Sequence, residues 1–244
     1  MRRALVLASL AGAIAAAGSS APAQEAAKPA KAPAASKFLA SGDLEPALIL
    51  PPPPKDDDPA AVEGRAELHR IAAARTPERL AQAKQDDEIE DIRAIAAPLG
   101  PAFSLERYPA TAKLFADLRN EDSVAAKQAK AYFKRERPFF FDKALDVCDD
   151  GHDKQNSYPS GHATMAWSAS AVLADLMPGN AQVILAHTTD YVESRLVCGV
   201  HYRSDLEAGH VLATALVAKL MSKPQFQAEV AAARAELTAA HLAP

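Results

Sequence analysis

The stretch Ser157-Tyr158-Pro159-Ser160-Gly161-His162-Ala163-Thr164-Met165-Ala166-Trp167 passes from a Pro/Gly turn straight into an apolar run. Pro159 and Gly161 favour a tight turn, and the run that follows predicts a helix from about Ala163 to Met177, stopped by Pro178-Gly179. A helix that begins this way presents free backbone N–H groups and partial positive charge at its start. Ser160 adds a hydroxyl donor, and Gly161 lets an anion approach the backbone. His162 stands at the mouth of that cradle. The plainer reading of the same residues is a serine N-cap followed by a surface histidine.

Outward from this helix, apolar spacing and start and stop signals predict more helices. On the C-terminal side one runs from about Ala181 to Gly199. Ser204 and Glu207 read as a capping box that opens the next, with Leu206, Val211, Leu212, Leu216 and Leu220 on its apolar side. Pro224 begins a last helix, Gln225 to about His241. On the N-terminal side, residues 122 to 134 form a Lys-rich helix, and Tyr108-Pro109 opens another that carries Leu114, Phe115 and Leu118. A helix covers Ile89 to Ala97, Thr76-Pro77-Glu78 is a helix start, and Pro59 to Ala74 has helical spacing. There is no period-two alternation bounded by turns and no internal repeat. Apolar residues make up 49% of the 244, rich in alanine, which favours helix over sheet. The expectation is an all-α fold, a single compact multi-helix domain over residues 38–244.

The first 23 residues read as a secretory signal: Arg2 and Arg3, an apolar run from Ala4 to Ala17, and a small-x-small pattern at Ala21-Pro22-Ala23. Residues 24–37, rich in Ala, Pro, Lys and Glu, read as a disordered linker. Pro51 to Pro54 is a stiff, extended arm, expected to lie on its own domain. Asp56-Asp57-Asp58 reads as a solvated charge run before a helix. The remainder has no run of eighteen apolar residues, so no membrane span is expected, and the leader points to the periplasm. In that oxidising compartment Cys148 and Cys198 suggest one disulfide, with two buried free thiols as the alternative. The net charge of −4 argues against a nucleic-acid-binding surface. Any anion site must be a local cluster of Lys and Arg.

Two further stretches offer such a cluster. In Lys130-Ala131-Tyr132-Phe133-Lys134-Arg135-Glu136-Arg137-Pro138, Lys130 and Arg137 are two helical turns apart and are expected to project from one face, with Pro138 ending the helix. By itself this is also what an ordinary solvated Lys/Arg face looks like. In Ser194-Arg195-Leu196-Val197-Cys198-Gly199-Val200-His201-Tyr202-Arg203-Ser204-Asp205, His201 and Asp205 are four apart and can meet on a helical turn. A carboxylate on one imidazole nitrogen frees the other to attack or to take a proton. Arg195 supplies a planar fork of donors. Alone, this pair reads equally as a structural bond. Together the three stretches hold three cations, one N–H cradle and two histidines, a set suited to a tetrahedral oxyanion with a nucleophile on one side and a proton donor on the other.

Lys-x6-Arg-Pro, Pro-Ser-Gly-His and Ser-Arg-x5-His-x3-Asp, in that order, resemble the three-part signature of the phosphatidic acid phosphatase type 2 superfamily. Within it the chain resembles the bacterial class A non-specific acid phosphatases, and every motif position is filled. The resemblance implies that His201 is a nucleophile that becomes phosphorylated, backed by Asp205, and that His162 is the acid that protonates the leaving alkoxide. Lys130, Arg137, Ser160, Gly161 and Arg195 would bind the phosphate oxygens, with no metal and no other cofactor. It further implies phosphotransferase capacity, small phosphomonoester substrates, inorganic phosphate or vanadate as inhibitors, and a homodimer. A Cys148–Cys198 bond would pin the second motif to the third. Two other readings stay open: a vanadium-dependent haloperoxidase, which shares the motif set, and a non-catalytic phosphate-binding protein, for which the His201–Asp205 pair would be superfluous.

Overall fold

The computed structural model describes residues 35–149, 151 and 153–243. The expected signal peptide, and all but the last three residues of the expected linker, lie outside these. Those last residues are bound to the domain: Ser36 Oγ and the Lys37 N–H donate to the Glu121 carboxylate (2.5 and 2.6 Å).

Among the described residues the fold is all-helical. The elements are α1 (Pro46–Ile49), α2 (Pro59–Ala74), α3 (Pro77–Glu88), α4 (Ile92–Ala96), α5 (Pro109–Phe133), α6 (Pro138–Phe141), α7 (Gly161–Leu176), α8 (Ala181–Val197), α9 (Arg203–Met221) and α10 (Pro224–Ala239). Short 3-10 turns cover Ala97–Ala102 and Pro178–Asn180. No described helix is long and apolar enough to cross a membrane.

α7 is the axis of the domain. It packs against α9, α8 and α5, while α10 closes over α5 and α3 lies along α8. Its apolar side chains Leu173 and Leu176 are fully buried, against Leu212, Leu216 and Leu220 of α9 and Leu114 and Leu118 of α5 in one core. Each such leucine contributes roughly 1.5–3 kcal/mol by leaving water. One glycine sets how closely α9 meets the start of α7. A Cβ on Gly209 would stand 2.7 Å from the Ala163 Cβ and 3.0 Å from the Ser160 carbonyl oxygen. The Ser160 N–H also donates to the Asp205 carbonyl (2.9 Å). The Pro-Ser-Gly-His turn is thereby clamped to the first turn of α9.

Several helix boundaries differ from expectation. The two helices predicted around Tyr108–Leu118 and 122–134 are one, α5. The polar run between them is a buried face: Glu121 caps the arriving chain, and Asp122 accepts from Ser168 Oγ of α7 (2.7 Å). The helix predicted over Ile89–Ala97 shrinks to α4, because the Asp91 side chain caps the Arg93 N–H (2.9 Å) and leaves Ile89–Asp91 as a turn. The Ser204/Glu207 capping box does not form. α9 begins two residues earlier, with Tyr202 as N-cap, and the Asp205 carboxylate accepts from the Tyr202 N–H (2.8 Å). Ser204 Oγ instead accepts from Arg135 (2.7 Å). The polyproline arm lies on its own domain, with Tyr158 donating to the Pro51 carbonyl (2.6 Å).

Cys148 and Cys198 are bonded. The Cys148 N–H also donates to the Cys198 carbonyl (3.0 Å). Gly199, at φ +69°, then makes the left-handed turn that carries the chain from α8 to His201.

Candidate active site

The three stretches converge where the start of α7, the end of α8 and the turn after α5 meet. His201 lies in the turn between α8 and α9 and is 1% exposed, and Asp205, on the first turn of α9, is fully buried. His201 Nδ1 is 3.3 Å from Asp205 Oδ2, and Nε2 is 3.2 Å from Arg137 Nη1. A guanidinium only donates, so Nε2 carries the lone pair and Nδ1 carries the proton. Burial holds this imidazole well below its ordinary pKa, helped by the charges of Arg137, Arg195 and Lys130. It is a neutral ring with one nitrogen aimed into a cluster of cations.

The Asp205 carboxylate has partners on both oxygens. Oδ1 accepts from Arg135 Nη1 (2.8 Å), and Oδ2 accepts from Ser157 Oγ (2.7 Å) and the Tyr202 N–H. Burial pushes this carboxyl upward, opposed chiefly by the Arg135 charge and the Ser157 bond. Arg135 also lies over the Tyr202 ring, 4.0 Å from its centroid.

Lys130 and Arg137 both reach the site, but not as two turns of one helix face. α5 ends at Phe133, next to the expected bound at residue 134 and short of Pro138, because Lys134 takes a left-handed conformation (φ 50°). The chain reverses there. Arg137 becomes the N-cap position of α6, donating from Nε to Asn156 Oδ1 (2.7 Å) and from Nη1 to the Val200 carbonyl (2.8 Å). Burial lowers Lys130 to about 8 and Arg137 to about 10, with the neighbouring arginines adding to both shifts.

The cradle forms at the N-terminus of α7. Ser160 is its N-cap, with Oγ accepting from the Ala163 N–H (3.3 Å), so the plain capping role is realised while the hydroxyl proton stays available for another acceptor. Lys130 Nζ comes within 3.7 Å of where a Cβ on Gly161 would stand, and Glu90 Oε1 within 3.1 Å of the same point.

His162 is partly buried rather than a surface histidine, its side chain 13% exposed. Its Nε2 faces the Asp87 carbonyl at 3.2 Å, and its Nδ1 faces Glu90 Oε1 at 3.7 Å. A carbonyl only accepts, so Nε2 carries a proton and Nδ1 is the nitrogen that exchanges one. Burial and the Arg195 charge hold this ring well below its ordinary pKa. The Arg195 side chain is fully buried, with Nη1 donating to the Asp87 carboxylate. Its Nε and Nη2 have no protein hydrogen-bond partner among the described residues.

All eight motif residues therefore meet in one place, and four others meet them there. Arg135 and Ser157 sit inside the quoted stretches but outside the motif spacing. Asp87 and Glu90 belong to the acidic run Asp86–Glu90, which by itself reads as solvated charge. Only the packing of α3 along α8 brings that run to Arg195 and His162.

The PAP2 superfamily profile matches residues 118–228, which spans all three stretches. The acid phosphatase of Zymomonas mobilis subsp. mobilis is 33% identical over 174 residues, covering 67% of this chain and 66% of the relative. The non-specific acid phosphatase of Providencia stuartii is also 33% identical over 174 residues, covering 66% of this chain and 68% of the relative. That of Salmonella typhimurium is 32% identical over 166 residues, covering 65% and 66%. The chain thus spans about two thirds of the length of these relatives. It belongs to the PAP2 superfamily, on the branch that holds the bacterial non-specific acid phosphatases.

Proposed function

We propose that the protein hydrolyses phosphate monoesters through a phosphohistidine on His201. The observation that carries this reading is the orientation of that ring: Nδ1–H toward Asp205, and Nε2 with its lone pair among Arg137, Arg195 and Lys130. A phosphate held by those cations puts phosphorus in front of Nε2. The unpartnered N–H groups of buried Arg195 favour the same ligand, since each would cost about 1–3 kcal/mol if left unmet.

In the first step Nε2 attacks phosphorus in line. The P–O bond to the alcohol breaks, and the leaving oxygen takes the proton from His162 Nδ1. Asp205 stabilises the positive charge that develops on the His201 ring. In the second step His162 Nδ1 removes a proton from water, and the hydroxide attacks phosphorus. The P–N bond breaks, the lone pair returns to Nε2, and inorganic phosphate leaves. An alcohol in place of water completes a phosphotransfer. Lys130, Arg137, Arg195, the Ser160 hydroxyl and the Gly161 N–H stabilise the equatorial oxygens, the term that dominates phosphoryl transfer.

The two rings need opposite protonation states. His201 must be neutral, and its lowered pKa keeps it so in acid. His162 must be protonated, and its lowered pKa confines that form to acid. Activity therefore falls as pH rises. The Cys148–Cys198 bond fits an exported protein in an oxidising compartment, in keeping with the leader-like first 23 residues. Inorganic phosphate and vanadate are the expected competitive inhibitors, and the expected assembly is a homodimer, which sedimentation measures.

The decisive experiment is a phosphomonoester panel with chelator present, comparing wild type with His201→Ala and His162→Ala, and trapping of an acid-labile phosphoprotein. Wild type should release phosphate and carry the label on His201. Undiminished hydrolysis by His201→Ala would overturn the mechanism. Phosphate binding with no turnover by wild type would point to the binding-protein reading.

A further inference from the structure

The half of the substrate that leaves has its own place in this fold. His162 delivers its proton from Nδ1, because Nε2 is committed to the Asp87 carbonyl. Nδ1 faces Glu90, so the alcohol oxygen departs on the Glu90 side. On that side a cleft of about 300 Å³ opens between the Ile89–Asp91 turn and α5, and it shares Lys130 and Gly161 with the phosphate cradle. Its volume matches roughly ten water molecules, the scale of a monosaccharide.

Its walls are mixed: Glu90, Arg119, Ser123 and Lys127 offer donors and acceptors, while Ala126 and the methylene stems of the long cationic side chains supply the apolar part. Glu90 Oε2 is paired with Arg119 Nη2 at 2.8 Å, so these two charges offset each other. Asp122 also lines the cleft. It is fully buried, with Oδ1 taken by Ser168 and Oδ2 without a partner among the described residues. Burial raises its carboxyl to about 8. Hydroxyl groups can bond the polar atoms of these walls, whereas an alkyl chain would cover those atoms without replacing their hydrogen bonds to water.

We propose that this cleft is the leaving-group subsite and that it takes small, hydroxyl-rich alcohols, so that polyol and monosaccharide phosphates are preferred over alkyl or lipid phosphates. The proposal rests on the phosphatase reading of the adjoining site.

The test is a matched pair, sorbitol 6-phosphate against n-hexyl phosphate, which have the same carbon chain and differ in hydroxyl groups. Wild type should favour the sorbitol ester by about tenfold or more in kcat/KM, the worth of one or two net hydrogen bonds. Ser123→Leu, which puts an apolar side chain into the cleft, should erase that preference while inhibition by inorganic phosphate stays unchanged. Equal or better cleavage of the hexyl ester by wild type would overturn the subsite and leave the phosphatase intact. An unchanged ratio in Ser123→Leu would do the same. Failure of wild type to cleave either ester would instead strike the phosphatase reading itself.

Discussion

The two histidines face one cluster of cations from very different surroundings. His201 is sealed in: its ring is 1% exposed, its carboxylate partner is fully buried, and each ring nitrogen has a named partner. His162 stands at an open helix end, its side chain 13% exposed and its Nδ1 facing a carboxylate at 3.7 Å. In the proposed mechanism His201 meets phosphorus along one line, so rigidity and a fixed tautomer serve it. The proposed acid, His162, borders the cleft and takes its surroundings from a different part of the chain, at and just after the end of α3. The division teaches that one site can hold a sealed, fixed ring on one side of the phosphate cradle and a more accessible one on the other.

That contrast can be broken by substitution, starting with the largest effect. His201→Ala should lower kcat by ~10⁴ or more and abolish the phosphoprotein, measured by phosphate release and by trapping. His162→Ala should cost ~10²–10⁴ with alkyl phosphates and much less with a nitrophenyl phosphate, whose leaving group needs no proton. Equal losses with both esters would deny His162 the role of acid.

Arg135→Gln should act through Asp205, lowering kcat roughly ten- to a hundredfold with KM unchanged, since Arg135 lies on the carboxylate rather than the cradle. The sign of its pH effect follows. Without the guanidinium, burial pushes the Asp205 carboxyl higher, and Asp205 must be ionised to work. The acid limb of the rate profile should therefore move to higher pH, against the remaining pull of the Ser157 and Tyr202 hydrogen bonds and of the Arg137 and Lys130 charges. A loss carried by KM would place Arg135 on the phosphate instead.

A smaller effect should come from Lys130. Its pKa is about 8, so its charge is lost as pH rises through that value, and KM should climb there by up to about tenfold per pH unit. Lys130→Arg should flatten the climb. The mildest effect on catalysis should follow reduction of Cys148–Cys198. The bond closes a 50-residue separation, so its loss should cost about 2–4 kcal/mol of stability, seen as a melting point several degrees lower, with kcat nearly unchanged. An unchanged melting point in reductant would show that hydrogen bonds and packing already hold the loop.

The His201 side was the more legible in sequence, because its key pair is local. The four-residue spacing brings His201 to Asp205, although the contact is made across the N-cap turn at Tyr202 and not within the helix. The Pro-Ser-Gly-His turn is local in the same sense, and Ser160 caps α7 as its type and place require. Where reading failed, a distant partner had overridden a local signal. The polar run at Glu121-Asp122 looked like a break between helices and is a buried face satisfied by Ser36, Lys37 and Ser168. Ser204 looked like a cap and is bound to Arg135. Lys130 and Arg137 were placed on one helix face, and the turn at Lys134 brings them to the site by another route.

What the sequence by itself determined is the helical class, the motif residues and their chemistry, since helix periodicity, caps and short spacings act within a few residues. The tertiary structure decided the rest: which nitrogen of each histidine is free, which carboxylates face them, and which cleft adjoins them. Asp87 and Glu90 stand 108 and 72 positions from the Arg195 and His162 they meet. No local rule reaches that far, because such contacts exist only once α3 has packed along α8 and buried its own share of the core.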